Sequence, residues 1–148
     1  MIEQDMGYQL KRAQYALRTR MDSTLREIGL TTPQYSALSA LHEHAGLSGA
    51  SLARRCFVTP QTMNTIVTNL EEAGLLVRRP HPEHGRVLQA YLTPQAETLL
   101  QEGHRRVRAI EERMMASISH DQWLQLTVAL QACADALEKD GTETGALP

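Results

Sequence analysis

Between Pro60 and Glu72 this 148-residue chain carries a run of short polar side chains with almost no charge: Gln61, Thr62, Asn64, Thr65, Thr68 and Asn69. Amides and hydroxyls both donate and accept. An amide can bond bidentately to a base edge, and hydroxyls bond phosphate oxygens. A helix face built only for solubility would interleave Lys and Glu, and this one has neither as far as Asn69. Met63, Ile66, Val67 and Leu70 fall between the polar residues at the spacing of one buried helical face. Thr59 suits the N-cap, Pro60 the first helical position and Gly74 the stop. Taken alone, the polar face is either a solvated surface or one that reads a groove of nucleic acid.

Other chemistry is poorly supported. His42 and His44 are two apart on an expected helix and face nearly opposite ways, so they cannot share a metal. His81 and His84 flank Pro82 in a turn without further ligands, and structural zinc takes four. Cys56 lies in an apolar pattern that favours a packed thiol, and Cys133 is the only other cysteine. No nucleophile motif or glycine-rich phosphate loop frames any Ser, His or Asp. We therefore expect no catalysis, no cofactor and no metal. The net charge of −2 excludes a chain that coats nucleic acid by bulk charge. Its distribution is informative: residues 51–90 hold five Arg against three Glu, and residues 91–148 hold five cations against nine acids.

The polar helix needs elements to hold it. Met6, Leu10, Ala13, Leu17, Met21, Leu25 and Ile28 predict a first helix from about Asp5 to Gly29, with Tyr8 and Tyr15 on its other side. Thr-Pro-Gln occurs at 32–34, 59–61 and 93–95, each time as a helix start. The first opens a helix over 33–44 with Tyr35, Leu38 and Leu41 inward. Ser48 caps a short helix through Leu52, Ala53 and Cys56, and Phe57-Val58 is the tight connection to Thr59. Two short helices so joined form a helix-turn-helix. After Gly74 the period changes to two strands. Their turn holds Pro80, Pro82 and Gly85, and Leu88, Ala90 and Leu92 share one face. The basic tip, flanked by Arg78, Arg79 and Arg86, makes this a wing rather than a core hairpin. A long helix from 94 to about 117 follows. Ser119 and Gln122 then cap a last helix that is apolar on two faces, Trp123, Leu126, Leu130, Cys133 and Leu137 on one and Leu124 and Val128 on the other. The expected fold is mainly α with a small β-wing.

The order of elements resembles the MarR family of winged helix-turn-helix transcription regulators. The likeness is carried by LARRCFVTPQTMNTIVTNLEEAGLLVRRPHPEHGR and by Leu92-Thr93. The chain departs from the family pattern at Cys56, where an aliphatic residue is usual, and at Phe57, where a small one is. Thr65 and Asn69 stand at positions often basic in relatives, and His84 replaces the wing aspartate that steadies the wing arginine. The tryptophan of urate-responsive members is missing from the first helix, as is the reactive cysteine of peroxide sensors.

The resemblance implies a homodimeric, sequence-specific repressor of transcription that binds pseudo-palindromic double-stranded DNA and is relieved by a small aromatic effector. Residues 1–30 and 94–140 would form the dimerisation helices, 31–93 the DNA-binding lobe and 141–148 a flexible tail. Thr59, Gln61, Thr62, Asn64, Thr65 and Asn69 would face the major groove. Arg54, Arg55, Arg78 and Arg79 would meet phosphates, and Arg86 with His84 would lie at the wing. Tyr15, Arg18 and His42 are the effector candidates. The alternative is a dimeric winged-helix module that contacts only protein. An acidic N-terminus and the lack of a long apolar run lead us to expect a soluble, cytoplasmic, nucleoid-associated protein.

Overall fold

The computed structural model describes residues 1–143, with side chains described as far as residue 139. A short 3-10 turn at Ile2–Gln4 precedes α1 (Met6–Arg26), α2 (Thr32–Glu43), α3 (Gly49–Arg55) and α4 (Pro60–Glu72). An antiparallel pair, β1 (Leu76–Pro80) and β2 (Leu88–Leu92), follows, then α5 (Pro94–Met115) and α6 (His120–Glu143). This is the mainly helical, small-wing architecture expected. Of the tail expected at 141–148, the backbone of 141–143 continues α6, and 144–148 lie outside the described residues. The chain divides into two compact units, Met1–Ile110 and the residues from Glu111 onward.

The first unit has one aliphatic core. Leu25 of α1, Leu38 and Leu41 of α2, Leu52 of α3, Met63 and Leu70 of α4, Leu76 of β1 and Leu100 of α5 are its largest fully buried side chains. Their spacing explains the helices: each presents one apolar stripe, and the stripes converge. Only the C-terminal half of α1 takes part. Leu25 is buried and Met21 and Ile28 pack against the core, whereas Met6 and Leu10, on the same stripe, are exposed.

The caps differ from expectation at one point. Thr31, not Thr32, caps α2. Its hydroxyl accepts from Gln34 N while the Gln34 side chain accepts from Thr31 N, a complete capping box with Pro33 inside it. Thr32 is left buried and donates its hydroxyl to Asp22 of α1. Thr59 and Thr93 do cap their helices. Between α2 and α5, the lack of a side chain at Gly103 lets the Tyr35 ring approach closely; a Cβ there would lie 3.1 Å from it. The Tyr35 hydroxyl meets His104 Nδ1 at 2.7 Å. Arg106 ties α5 to the turn after α1 through Glu27, at 2.6 Å, and Arg105 and Arg106 hold the Glu102 carboxyl down to about 2.

The wing pairs Leu76 with Leu92 at its base and Pro80 with Leu88 at its far end. Pro80 therefore belongs to β1 rather than to the turn. Leu88, expected on the inner face with Ala90 and Leu92, is exposed because its register carries it beyond the body of the lobe. Bonds from Gly46 N to Ala90 O and from Ala90 N to Leu47 O fasten β2 to the loop before α3.

The second unit consists of the end of α5, a turn and α6. Ser119 and Gln122 form the expected capping box. None of the described side chains of α6 is buried: Leu124, Leu126, Val128, Leu130 and Leu137 are all exposed, and only Trp123 is partly covered.

Candidate nucleic-acid interface

Helix α4 is held by its core face and leaves the other free. Met63, Ile66, Val67 and Leu70 are buried, and Gln61, Thr62, Asn64, Thr65 and Asn69 are exposed, with Thr68 partly covered. The hydroxyls are largely committed within the helix. Thr59 accepts from Thr62 N and donates to Thr62 Oγ1, and Thr65 donates to the Gln61 carbonyl. The amides of Gln61, Asn64 and Asn69 make no hydrogen bond among the described residues, so they are the uncommitted donor–acceptor pairs of this face, Gln61 and Asn64 nearest its N-terminal end.

Two clefts flank α4. The first, about 400 Å³, lies between the start of α3, α4 and the wing. Ser48, Pro60, Asn64, Arg78, Arg86 and the exposed Val87 line it, with buried Val67 and Ala90 beneath. The two arginines differ. Arg78 clasps Glu71 through both its Nε and Nη2, at 3.3 and 3.0 Å, and this bond holds the Glu71 carboxyl below its usual range. Arg78 thus fastens β1 to the end of α4. Arg86 makes no ion pair among the described residues and is exposed. Arg79 lies over the Tyr91 ring at 5.6 Å, and Arg54 donates to Ser51 Oγ at 3.1 Å, as Arg55 stays exposed beside it.

The wing turn is organised by a residue that the sequence did not single out for that role. His81 Nδ1 accepts from the backbone N–H groups of both Glu83 and His84, at 3.0 and 3.2 Å. Backbone bonds between His81 and Val87 and between Val87 and His84 close the loop. His84 is exposed, with its ring 5.0 Å from that of His81. The turn therefore presents Arg86 from a fixed frame.

The second cleft, about 430 Å³, lies on the other flank of α4, against α1 and the start of α2. Arg18, Asp22 and Arg26 line one wall, Leu30, Thr31, Pro33 and Gln34 another, and Thr62, Ile66 and Asn69 the third. Asn69 thus faces this cleft as well as the polar surface. Arg18 Nε meets Asp22 Oδ1 at 3.0 Å. The Thr32 hydroxyl, first, and Arg18 hold the Asp22 carboxyl below its usual value. Of the effector candidates only Arg18 lines this space. Tyr15 is exposed on α1, and His42 instead meets Glu97 Oε2 at 2.8 Å, on the α2–α5 seam. Cys56 is half-buried, and burial pushes its thiol up, which suits a packing group better than a reactive thiolate.

Comparison with known proteins places this geometry. A model of the MarR family matches residues 28–87, from the end of α1 to the wing. The chain is 38% identical over 117 residues to the HTH-type transcriptional repressor Rv2887 of Mycobacterium tuberculosis, an alignment covering 79% of this chain and 84% of that one. The crystal structure of the same relative in complex with DNA superposes with a TM-score of 0.72 at 33% identity, covering 87% of this chain and 97% of that chain. Its complex with salicylic acid gives 0.71 at 36% identity, covering 87% and 96%.

Proposed function

This chain belongs to the MarR family, and we propose that it is a homodimeric, sequence-specific DNA-binding repressor of transcription that a small aromatic acid releases from its operator. The observation that carries the reading is the outer face of α4: uncharged as far as Asn69, exposed, with three uncommitted amides, and flanked by a cleft that presents Arg86. Such a face hydrogen-bonds to base edges in the major groove while a wing arginine enters the adjacent minor groove. The DNA complex and the repressor role of Rv2887 supply the same reading from a relative.

In this reading residues 31–93 form the DNA-binding lobe, and residues 1–30 and 94–140 the dimerisation helices. Gln61 and Asn64 read bases, with Thr62 and Thr65 beside them. Arg54, Arg55 and Arg79 approach phosphates, and Arg78 acts chiefly by holding the wing. Thr59 contributes as the cap, and His84 sits at the wing tip with Arg86. The chain catalyses nothing. Among the described residues no helix is long and apolar enough to cross a membrane. Its place of action is the chromosome in the cytoplasm.

The test is selection from a random duplex pool, followed by fluorescence anisotropy on the selected duplex and a scrambled one. The expected product is a pseudo-palindrome with half-sites about one turn, roughly 34 Å, apart. Equal affinity for selected and scrambled duplexes would leave only the protein-contact module. Within the same assay, Arg86→Ala should weaken both duplexes together. It should also flatten the dependence of log K on log salt by up to about one unit, the contribution of one neutralised phosphate. An unchanged slope would remove Arg86 from the contact.

The effector site follows from the second cleft. Salicylic acid is bound by Rv2887; here Arg18 and Arg26 offer cations to a carboxylate, and Leu30, Pro33 and Ile66 offer apolar walls to a ring. Because Thr62, Ile66 and Asn69 form one wall, an occupant presses directly on the recognition helix. Salicylate should therefore release wild-type protein from the selected duplex. Arg18→Ala should raise the salicylate needed by about tenfold, the loss of a charge-assisted bond of ~1.5 kcal/mol, with DNA affinity in its absence little changed. Release at the same concentration from both proteins would place the effector elsewhere.

A further inference from the structure

Three helices of this chain end in the same motif, and one of them breaks its rule. At the end of α1, Gly29 N bonds to Arg26 O and Leu30 N to Leu25 O; at the end of α4, Gly74 N bonds to Glu71 O and Leu75 N to Leu70 O. At the end of α3, Phe57 N bonds to Arg54 O and Val58 N to Ala53 O. These are the paired bonds of a Schellman motif, whose penultimate residue adopts the left-handed conformation and is usually glycine. Gly29 and Gly74 have φ of 79° and 74°, and Phe57 occupies the same place with φ of 56°. In each case the following residue, Leu30, Val58 or Leu75, turns back onto the core.

A bulky residue in this conformation is strained, because its Cβ crowds the following carbonyl. Strain of this kind persists where something is gained from the side chain. Among the described residues nothing is gained, since Phe57 is 89% exposed. The ring lies two residues before the cap of the recognition helix and two after Arg55, so it is continuous with the DNA-facing surface assigned above. That surface otherwise offers amides, hydroxyls and guanidiniums, with only the ring of Pro60 and the small methyls of its threonines to meet the one apolar feature of the major groove, the thymine methyl.

We propose that Phe57 is a specificity-determining residue that reads a thymine C5-methyl at the edge of each half-site. The inference rests on the DNA-binding reading above. It deepens that reading by adding apolar recognition to the amides of α4. Neither glycine end has this use, and each keeps the residue the backbone prefers.

The experiment uses the full chain, the duplex it selects, and versions of that duplex in which each thymine pair related by the two-fold is replaced by deoxyuracil, which removes only the methyl. For wild type, one such replacement should weaken binding about fourfold per half-site, the free energy of burying one methyl group. Phe57→Gly should bind the thymine duplex correspondingly more weakly and show no difference between thymine and deoxyuracil at that position. Its thermal midpoint should be equal to or above wild type, since glycine relieves the strained φ, which separates this loss from misfolding. Phe57→Leu should retain part of the discrimination. Equal affinity of Phe57→Gly and wild type for the selected duplex would overturn the proposal, as would weakening that is the same for thymine and deoxyuracil at every position. A change confined to oligomeric state would overturn it too. Failure of wild type to select any duplex is a different result and counts against the DNA-binding reading itself.

Discussion

Replacing both Leu126 and Leu130 with aspartate should turn the protein into a monomer and reduce operator affinity by about 100- to 10,000-fold. Both leucines stand on the exposed stripe of α6, at 45% and 40% exposure. A water-exposed helix apolar on two sides is not an ordinary solvated surface, and we propose that a second copy covers it. Burying one leucine stabilises by roughly 1.5–3 kcal/mol. Because each is already more than half covered, two leucines in each of two copies contribute about 3–5 kcal/mol, a large part of the ~12 kcal/mol of a nanomolar dimer. The charges add a desolvation cost on top of that loss.

The loss of DNA affinity has a separate cause. A dimer presents two recognition helices, and once one half-site is bound the second binds at a high effective concentration. A monomer binds each half-site alone, so its affinity falls to that of one lobe even with every contacting residue intact. Sedimentation velocity and anisotropy on the selected duplex, run on one preparation, read both quantities. A dimer of wild-type affinity would show that α6 is not the dimer surface.

Much of this molecule is written in local pattern. The alternation that buries Met63, Ile66, Val67 and Leu70 and exposes Gln61 and Asn64 depends only on the helical period, and it is found in place. The Ser48, Thr59, Thr93 and Ser119 caps are equally local. Where adjacent residues compete, pattern is a poorer guide. Thr31 and Thr32 are both good caps, and the Thr-Pro-Gln triplet by itself points to Thr32. The deciding feature was the capping-box spacing from Thr31 to Gln34, reinforced by a use for Thr32 ten residues back at Asp22. The second of these is a long-range contact that no local window contains.

The same distinction divides the site. Arg78 and Arg86 look alike in a basic turn, and only the fold brings Glu71 to Arg78 and leaves Arg86 exposed. His81 reads as a turn residue, and its acceptance of two backbone bonds depends on the turn's own shape. The cleft between Arg18, Pro33 and Ile66 joins three helices, so no local window shows that Arg18 lines it while Tyr15 does not and His42 meets Glu97 instead. Phe57 was visible as a departure from a family pattern. Its meaning comes from the backbone, where Gly29 and Gly74 in the same role mark it as the exception.

The direct reading of sequence should reside in Gln61 and Asn64. Thr62 and Thr65 have already spent hydrogen-bonding capacity on the helix, whereas these two amides have all of theirs. A well-placed amide bonds both N6 and N7 of adenine and discriminates against other bases by about 1–3 kcal/mol. On the two-fold operator proposed above, each substitution acts twice. Gln61→Ala or Asn64→Ala should therefore cost roughly 2–6 kcal/mol on the selected duplex, and much less on a scrambled one, where only phosphate contacts operate. The two residues should also separate by position. Asn64 lines the cleft beside the wing and Gln61 does not, so their losses should map to different base pairs. Neither change should lower the thermal midpoint, since both side chains are exposed and alanine favours the helix. Met63→Ala, on the buried face between them, should instead destabilise the fold by about 2–5 kcal/mol and leave base preference intact in the folded fraction. If Gln61→Ala and Asn64→Ala weaken selected and scrambled duplexes by the same factor, the amides only position the helix, and sequence is read through the shape and deformability of the DNA.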